Sequence, residues 1–297
     1  MPPARQRSIA FAAVTALAVL GACGSDNAGP LDDNQVDELG AALRDEVETS
    51  VAGFSVRGIL LPFSERVASR GPTLAALSLC AGGAPSAVSN DGDPVPDSVV
   101  FTFTVPPCSY DDVRDGRVEV TGAVEIVDPT PAVAGFEYLA RLANLAYRYV
   151  SPDLAGNYTV LRNGTRYRGG NGAGLTVSVN LDIRRALADH DVNVAQHWTA
   201  TFTPQAGATA QLEQPLTDGT VAIDGTFDWS WAGESFSLTV STPTPLEYDA
   251  NCTDTPQRIA AGELRAAGTF EGQEGYLQLV WNGCGDEPEI RFVAAGE

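Results

Sequence analysis

Five cysteines, two histidines, 38 carboxylates and 18 basic residues are the side chains of this 297-residue chain with chemistry to offer, and every basic residue is an arginine. The absence of lysine removes Schiff bases, the phosphate-loop lysine and lysine-assisted nucleophiles. Met1 is the sole methionine, and His190 and His197 are the sole histidines, so methionine-rich copper sites and multi-histidine centres are out of reach. Asp189 and Asp191 flank His190 and leave a two-histidine metal site conceivable, although isolated loop and strand-edge histidines are commoner. No G-x-S-x-G elbow or H-E-x-x-H helix occurs. Gly170-Asn171-Gly172-Ala173-Gly174 has the composition of a nucleotide-binding loop, but a strand pattern follows where phosphate binding needs a helix N-terminus, so it reads as a hairpin turn. Phe227, Trp229 and Trp231 alternate along one strand face, which suits stacking on a sugar or lipid and, more often, a core. A net charge of −20 with no basic stretch argues against nucleic acid as a partner.

The N-terminus carries a second kind of chemistry. Arg5 and Arg7 precede a small and apolar run, residues 9–20, which ends in Leu20-Gly21-Ala22-Cys23. Twelve helical residues span about 18 Å against about 30 Å of hydrocarbon, so the segment is a secretory signal rather than a membrane span. The closing tetrapeptide resembles the lipobox of bacterial lipoproteins. That resemblance implies removal of residues 1–22 and diacylglycerol on the Cys23 thiol, and the polar composition that follows reads as a flexible tether over 23–33. Gly24 after the cysteine implies, by the enteric sorting rule, the outer membrane.

Four cysteines remain in an exported chain, an even number that implies disulfides with three possible pairings. No C-x-x-C spacing favours zinc. Pairing of sequence neighbours, Cys80 with Cys108 and Cys252 with Cys284, is the simplest arrangement, and each staple would stabilise by roughly 3.5 kcal/mol in the chain-entropy model.

Ser89-Asn90-Asp91-Gly92-Asp93-Pro94-Val95-Pro96-Asp97 resembles the calcium loop of thrombospondin type 3 and dockerin-like repeats. The resemblance makes Asp91, Asp93 and Asp97 carboxylate ligands and Val95 a carbonyl donor, for a weak calcium site. Ser89 stands where that pattern has its first aspartate and Pro94 where it has a glycine, so a solvated acidic loop is the competing reading. The arginine-only composition, this loop between cysteines, Thr242-Pro243-Thr244-Pro245-Leu246 near Cys252, and Trp281-Asn282-Gly283-Cys284-Gly285 also look like uncharacterised exported lipoproteins of GC-rich bacteria.

The elements that must position these groups follow from periodicity. Asn34 can cap a helix whose Val36, Leu39, Leu43, Val47 and Val51 share one face. Pro62 and Pro72 break the apolar remainder of a helical N-terminal region spanning 34–79. From Ser98 the period becomes two, over 99–105, 118–126, 158–167, 175–183, 198–203, 221–231, 236–240, 264–270, 276–281 and 290–293. Residues 136–150 are alanine-rich, but Phe136, Tyr138, Ala140 and Leu142 alternate between strand neighbours, so a strand is expected there too. The fold class is mainly β, an antiparallel meander forming a β-sandwich or half-barrel, with the disulfide-stapled domain over 80–297. Charged residues in mid-strand speak against a transmembrane barrel.

The function expected from these features is a non-catalytic envelope lipoprotein, a structural or binding module with a protein or hydrophobic partner. The alternative is a periplasmic carrier of lipid, and a secreted hydrolase using carboxylates ranks last for want of any motif.

Overall fold

Alternating apolar residues can bury only one side of a strand, and the computed structural model answers that constraint with a single antiparallel sheet wrapped against a helix. The described residues are 31, 33–54, 89–93, 95–105, 108–111, 117–135, 137–150, 158–186, 191–210, 216–231, 233–252 and 258–296. The signal segment, Cys23, most of the tether, the region 55–79, Cys80, Pro94 and His190 lie outside them.

Helix α1 (Asp33–Ala52) precedes strands β1 (Ser98–Phe103), β2 (Ser109–Asp111), β3 (Arg117–Val127), β4 (Tyr138–Val150), β5 (Tyr158–Asn171) and β6 (Gly174–Ala186). Strands β7 (Asp191–Pro204), β8 (Gly219–Trp231), β9 (Glu234–Tyr248), β10 (Ile259–Phe270), β11 (Gln273–Trp281) and β12 (Glu289–Ala294) complete the order. The sheet has 12 strands in the order β1-β3-β4-β5-β6-β7-β8-β9-β10-β11-β12, with β2 paired to β3 off this path. One open sheet, not two stacked ones, is therefore the outcome among the alternatives offered by periodicity.

The helix explains how one sheet can bury an inner face. Leu39, Leu43 and Val47 are fully buried and Val51 nearly so. Gly40 lies against Ile290 of β12, so closely that a Cβ there would fall 2.4 Å from the Ile290 side chain. Further along the helix Glu46 meets Arg162 of β5. A helix touching both β5 and β12 requires the sheet between them to curve round it. The inward phase supplies the core: Leu175, Val177, Leu181, Ala200, Phe202, Val221, Val240, Leu264, Leu277 and Leu279 are all buried.

The aromatic stripe of β8 belongs to this core. Trp198 stacks on Phe227 with centroids 6.0 Å apart, and Trp229 stacks on Phe236 at 5.6 Å. From there the row runs to Phe270 and on to Phe292, across β8 to β12. The glycine-rich segment is the β5–β6 hairpin, in which Asn171 Oδ1 accepts the Ala173 N–H at 2.9 Å.

Strand β4 is present as expected, and its ambiguous sequence has a geometric cause. Both of its ladders shift register around residues 142–145, so buried Tyr138 and Ala140 give way to buried Leu145, Tyr147 and Tyr149. The bulge places Asn144 at φ 49° opposite Gly122 at φ 105°. A Cβ on Gly122 would lie 2.1 Å from the Asn144 carbonyl oxygen, so only glycine lets the strands approach.

Cys252 and Cys284 form a disulfide with Cα atoms 5.7 Å apart, tying the β9–β10 loop to the β11–β12 loop. Cys108 is buried and disulfide-bonded. Its expected partner, Cys80, lies outside the described residues.

Candidate functional site

Two groups of polar side chains depart from the apolar rule inside the curve of the sheet or at its edge. The first begins with Glu46 and Ser50, which stand on the buried stripe of α1 at the seventh residue from Leu39 and Leu43. It continues on β5, where Tyr158 and Val160 set the inward phase and Arg162, Arg166 and Arg168 occupy the same phase. All three arginines are buried, as is Glu46.

Glu46 is the hub. Arg185 Nη2 donates to its Oε1 at 3.0 Å, and Arg162 spans both carboxylate oxygens at 3.4 Å. With its amide turned to satisfy both ends, Gln196 donates to Glu46 Oε2 at 3.2 Å and accepts from Trp198 Nε1 at 2.8 Å. Burial would raise the Glu46 carboxyl, but Arg162 and Arg185 outweigh it and hold the group below its ordinary range. Its neighbour Asp45 goes the other way, raised because burial outweighs Arg185 and Arg44. Arg166 reaches the Thr49 carbonyl at 3.4 Å, and Arg168 donates to the Phe54 carbonyl, so the C-terminal end of the helix receives two guanidiniums. Burial lowers the Arg166 guanidinium. It also raises the nearby Tyr138 hydroxyl to about 12.

Beside this hub lies a cavity of about 350 Å³ between α1 and the inner face. Its wall includes Asp45, Glu46, Arg162, Arg185, Tyr147 and Trp229. Tyr149 and Tyr158, also on the wall, stack with centroids 4.1 Å apart. Arg162 Nε, Arg185 Nε and Trp229 Nε1 are buried without a hydrogen-bond partner, and all three belong to residues of this wall. The wall carries three carboxylates, of Glu38, Asp45 and Glu46, beside two guanidiniums. Comparison with family models, with curated proteins and with solved structures found no match to the chain.

The second group is acidic. Ligand-capable oxygens of Asp91, Asp93 and Asp128 all lie within 4.8 Å of one another. The acidic loop therefore contributes two of its three expected carboxylates to the cluster. Asp97 stands apart, accepting from the Asn90 backbone N–H at 3.0 Å and from the Asn90 side-chain amide. Val95 is seen through its backbone N–H, which donates to Asp93 Oδ1 at 2.8 Å. Asp128, the third member, comes from the end of β3, 31 residues beyond Asp97 in numbering, where periodicity registers only a strand end. His197 is an exposed residue of β7 and joins no metal-holding group among the described residues.

The interior arginines had a sequence signal that only the helix could decode. Positively charged residues on the inward phase of a strand call for a buried counter-charge, and Glu46 on an apolar helical stripe is its counterpart.

Proposed function

We propose that the protein is a non-catalytic envelope lipoprotein, exported and held at the outer membrane by an acylated Cys23, whose β-rich domain is a binding module. Its ligand is a small polar molecule taken between α1 and the sheet. The observation carrying this reading is the cavity of about 350 Å³ whose wall sets charged side chains, Asp45, Glu46, Arg162 and Arg185, beside the stacked pair of Tyr149 and Tyr158. A concave site with a few convergent polar groups and aromatic faces both orients and selects a small polar molecule. Carriage of an acyl chain is disfavoured, because the same wall holds the part-exposed Asp45 and Arg185 charges, which an apolar chain would desolvate without return.

The test uses the full-length protein, extracted from its own membranes in mild detergent. Mass spectrometry of the released small molecules should find a small polar compound that is lost from Tyr158→Ala, which removes one ring of the stacked pair on the wall. A long-chain lipid in its place selects the carrier reading, and water alone removes the ligand from this proposal. Location is checked separately. Cys23→Ala should lose label from radioactive palmitate and leave the membrane fraction, whereas a variant that stays membrane-bound and uncleaved refutes the anchor.

A further inference from the structure

Asp91 and Asp128 each commit one carboxylate oxygen to the backbone, and Asp93 commits both. Asp91 Oδ1 accepts the Asp93 N–H at 3.2 Å, Asp93 Oδ1 accepts the Val95 N–H at 2.8 Å, and Asp128 Oδ1 accepts the Thr130 N–H at 2.7 Å. Asp93 Oδ2 takes the Gly135 N–H at 2.9 Å. What is left over is unusual. Asp128 is only 3% exposed, yet its Oδ2 has no hydrogen-bond partner, and Asp91 Oδ2 is likewise enclosed and unpartnered. A buried carboxylate oxygen without a donor is costly, and two of them beside a third carboxylate add like-charge repulsion.

One chemical species relieves all of this at once. We propose that Asp91, Asp93 and Asp128 hold a single calcium ion, bound between the 89–97 loop and the end of β3. The donor set is entirely hard oxygen, which suits calcium over zinc or copper, and water can complete a coordination shell of six to eight. Ser89 Oγ, 2.9 Å from Asp91 Oδ1 and 3.4 Å from Asp93 Oδ1, already orients the two loop carboxylates. The ligand assignment differs from that of a self-contained loop, because Asp128 replaces Asp97. An ion here ties together the chain entering β1 and the chain leaving β3, next to the Ser98 and Val127 pair that ends their ladder. It would rivet the free edge of the sheet.

Calcium titration of the full-length, chelator-stripped protein by calorimetry, alongside thermal melts, tests the assignment. The expected result is one site with a Kd on the order of 10⁻⁴ to 10⁻³ M and a melting temperature raised by about 2–4 °C in millimolar calcium. Asp128→Asn keeps the Oδ1 acceptor for Thr130 and removes the charge, so it should fold, melt no lower than wild type in chelator, and lose the calcium response. Asp97→Asn should retain that response. Identical wild-type curves in calcium and chelator overturn the site, as does an Asp128→Asn variant that titrates like wild type. Loss of binding in Asp97→Asn alone returns the ion to the loop and overturns the role of Asp128. An equal shift with magnesium at matched ionic strength overturns the assignment to calcium.

Discussion

Glu46 shows how much one residue can decide. It accepts from both Arg162 and Arg185, on strands 116 and 139 residues away. Removing its charge leaves the Arg162 guanidinium buried without its counter-charge, and breaking such a pair from one side costs about 3–5 kcal/mol. Glu46→Gln should lower the urea midpoint accordingly at pH 7. The pH dependence has a definite sign. Because the folded Glu46 carboxyl sits below its ordinary range, its contribution is complete above the unfolded value and is lost as the pH falls through the folded one. Asp45, raised in the fold, acts oppositely: its contribution is present below the ordinary carboxylate range and is lost as the pH rises through the elevated value. Urea titrations between pH 3 and 7 should therefore show a flatter acid decline for Glu46→Gln than for wild type. An unchanged acid limb would remove Glu46 from the hub.

At the scale of elements, the decisive feature is the bulge that couples β3 and β4. It rotates the alternation of β4 by one residue and so directs Tyr147 and Tyr149 onto the wall of the cavity, where an unbroken strand would point them outward. Gly122 is what permits it. Gly122→Ala forces a Cβ into the Asn144 carbonyl at a φ that alanine tolerates poorly, with a penalty of about 1–3 kcal/mol. The expected outcome is a lower melting temperature together with changed near-ultraviolet dichroism from the tyrosine pair, whereas an alanine variant matching wild type in both would show the bulge to be incidental. Strand β9 has a related irregularity. Pro243 and Pro245 are exposed and lack N–H donors, and the ladder to β10 shifts register three times around them.

As a whole molecule, the protein is an open sheet whose two edges, β1 and β12, must each be held. Helix α1 holds β12 through the contact of Gly40 with Ile290, and the Cys252–Cys284 disulfide anchors the loop that leads into the same strand. The staple closes a separation of 32 residues, for which the chain-entropy model gives about 3.5 kcal/mol. Replacing both cysteines by serine should lower the denaturation midpoint by that order, and hydrogen exchange should rise first in β11 and β12. Uniform exchange across the sheet would mean that the edge does not depend on the staple. Peptide mapping without reduction should also recover Cys80 joined to Cys108.

Much of this architecture is local information. Period-two alternation marks strands wherever it occurs, because a pleated strand with one buried face can use no other pattern, and the stripe of α1 follows in the same way from 3.6 residues per turn. Even over 136–150 the strand is legible in local alternation, with the bulge hidden from it. Disulfide spacing and the polar character of the 89–97 loop are equally legible along the chain. Only the tertiary structure decided that the strands form one open sheet, because curvature depends on what the sheet wraps, and here that is α1. Only it brought Asp128 to Asp91 and Asp93 while turning Asp97 toward Asn90. Pairing Glu46 with Arg162 was beyond local pattern for the same reason: burial of a charge is settled by its partner, and that partner lies 116 residues away.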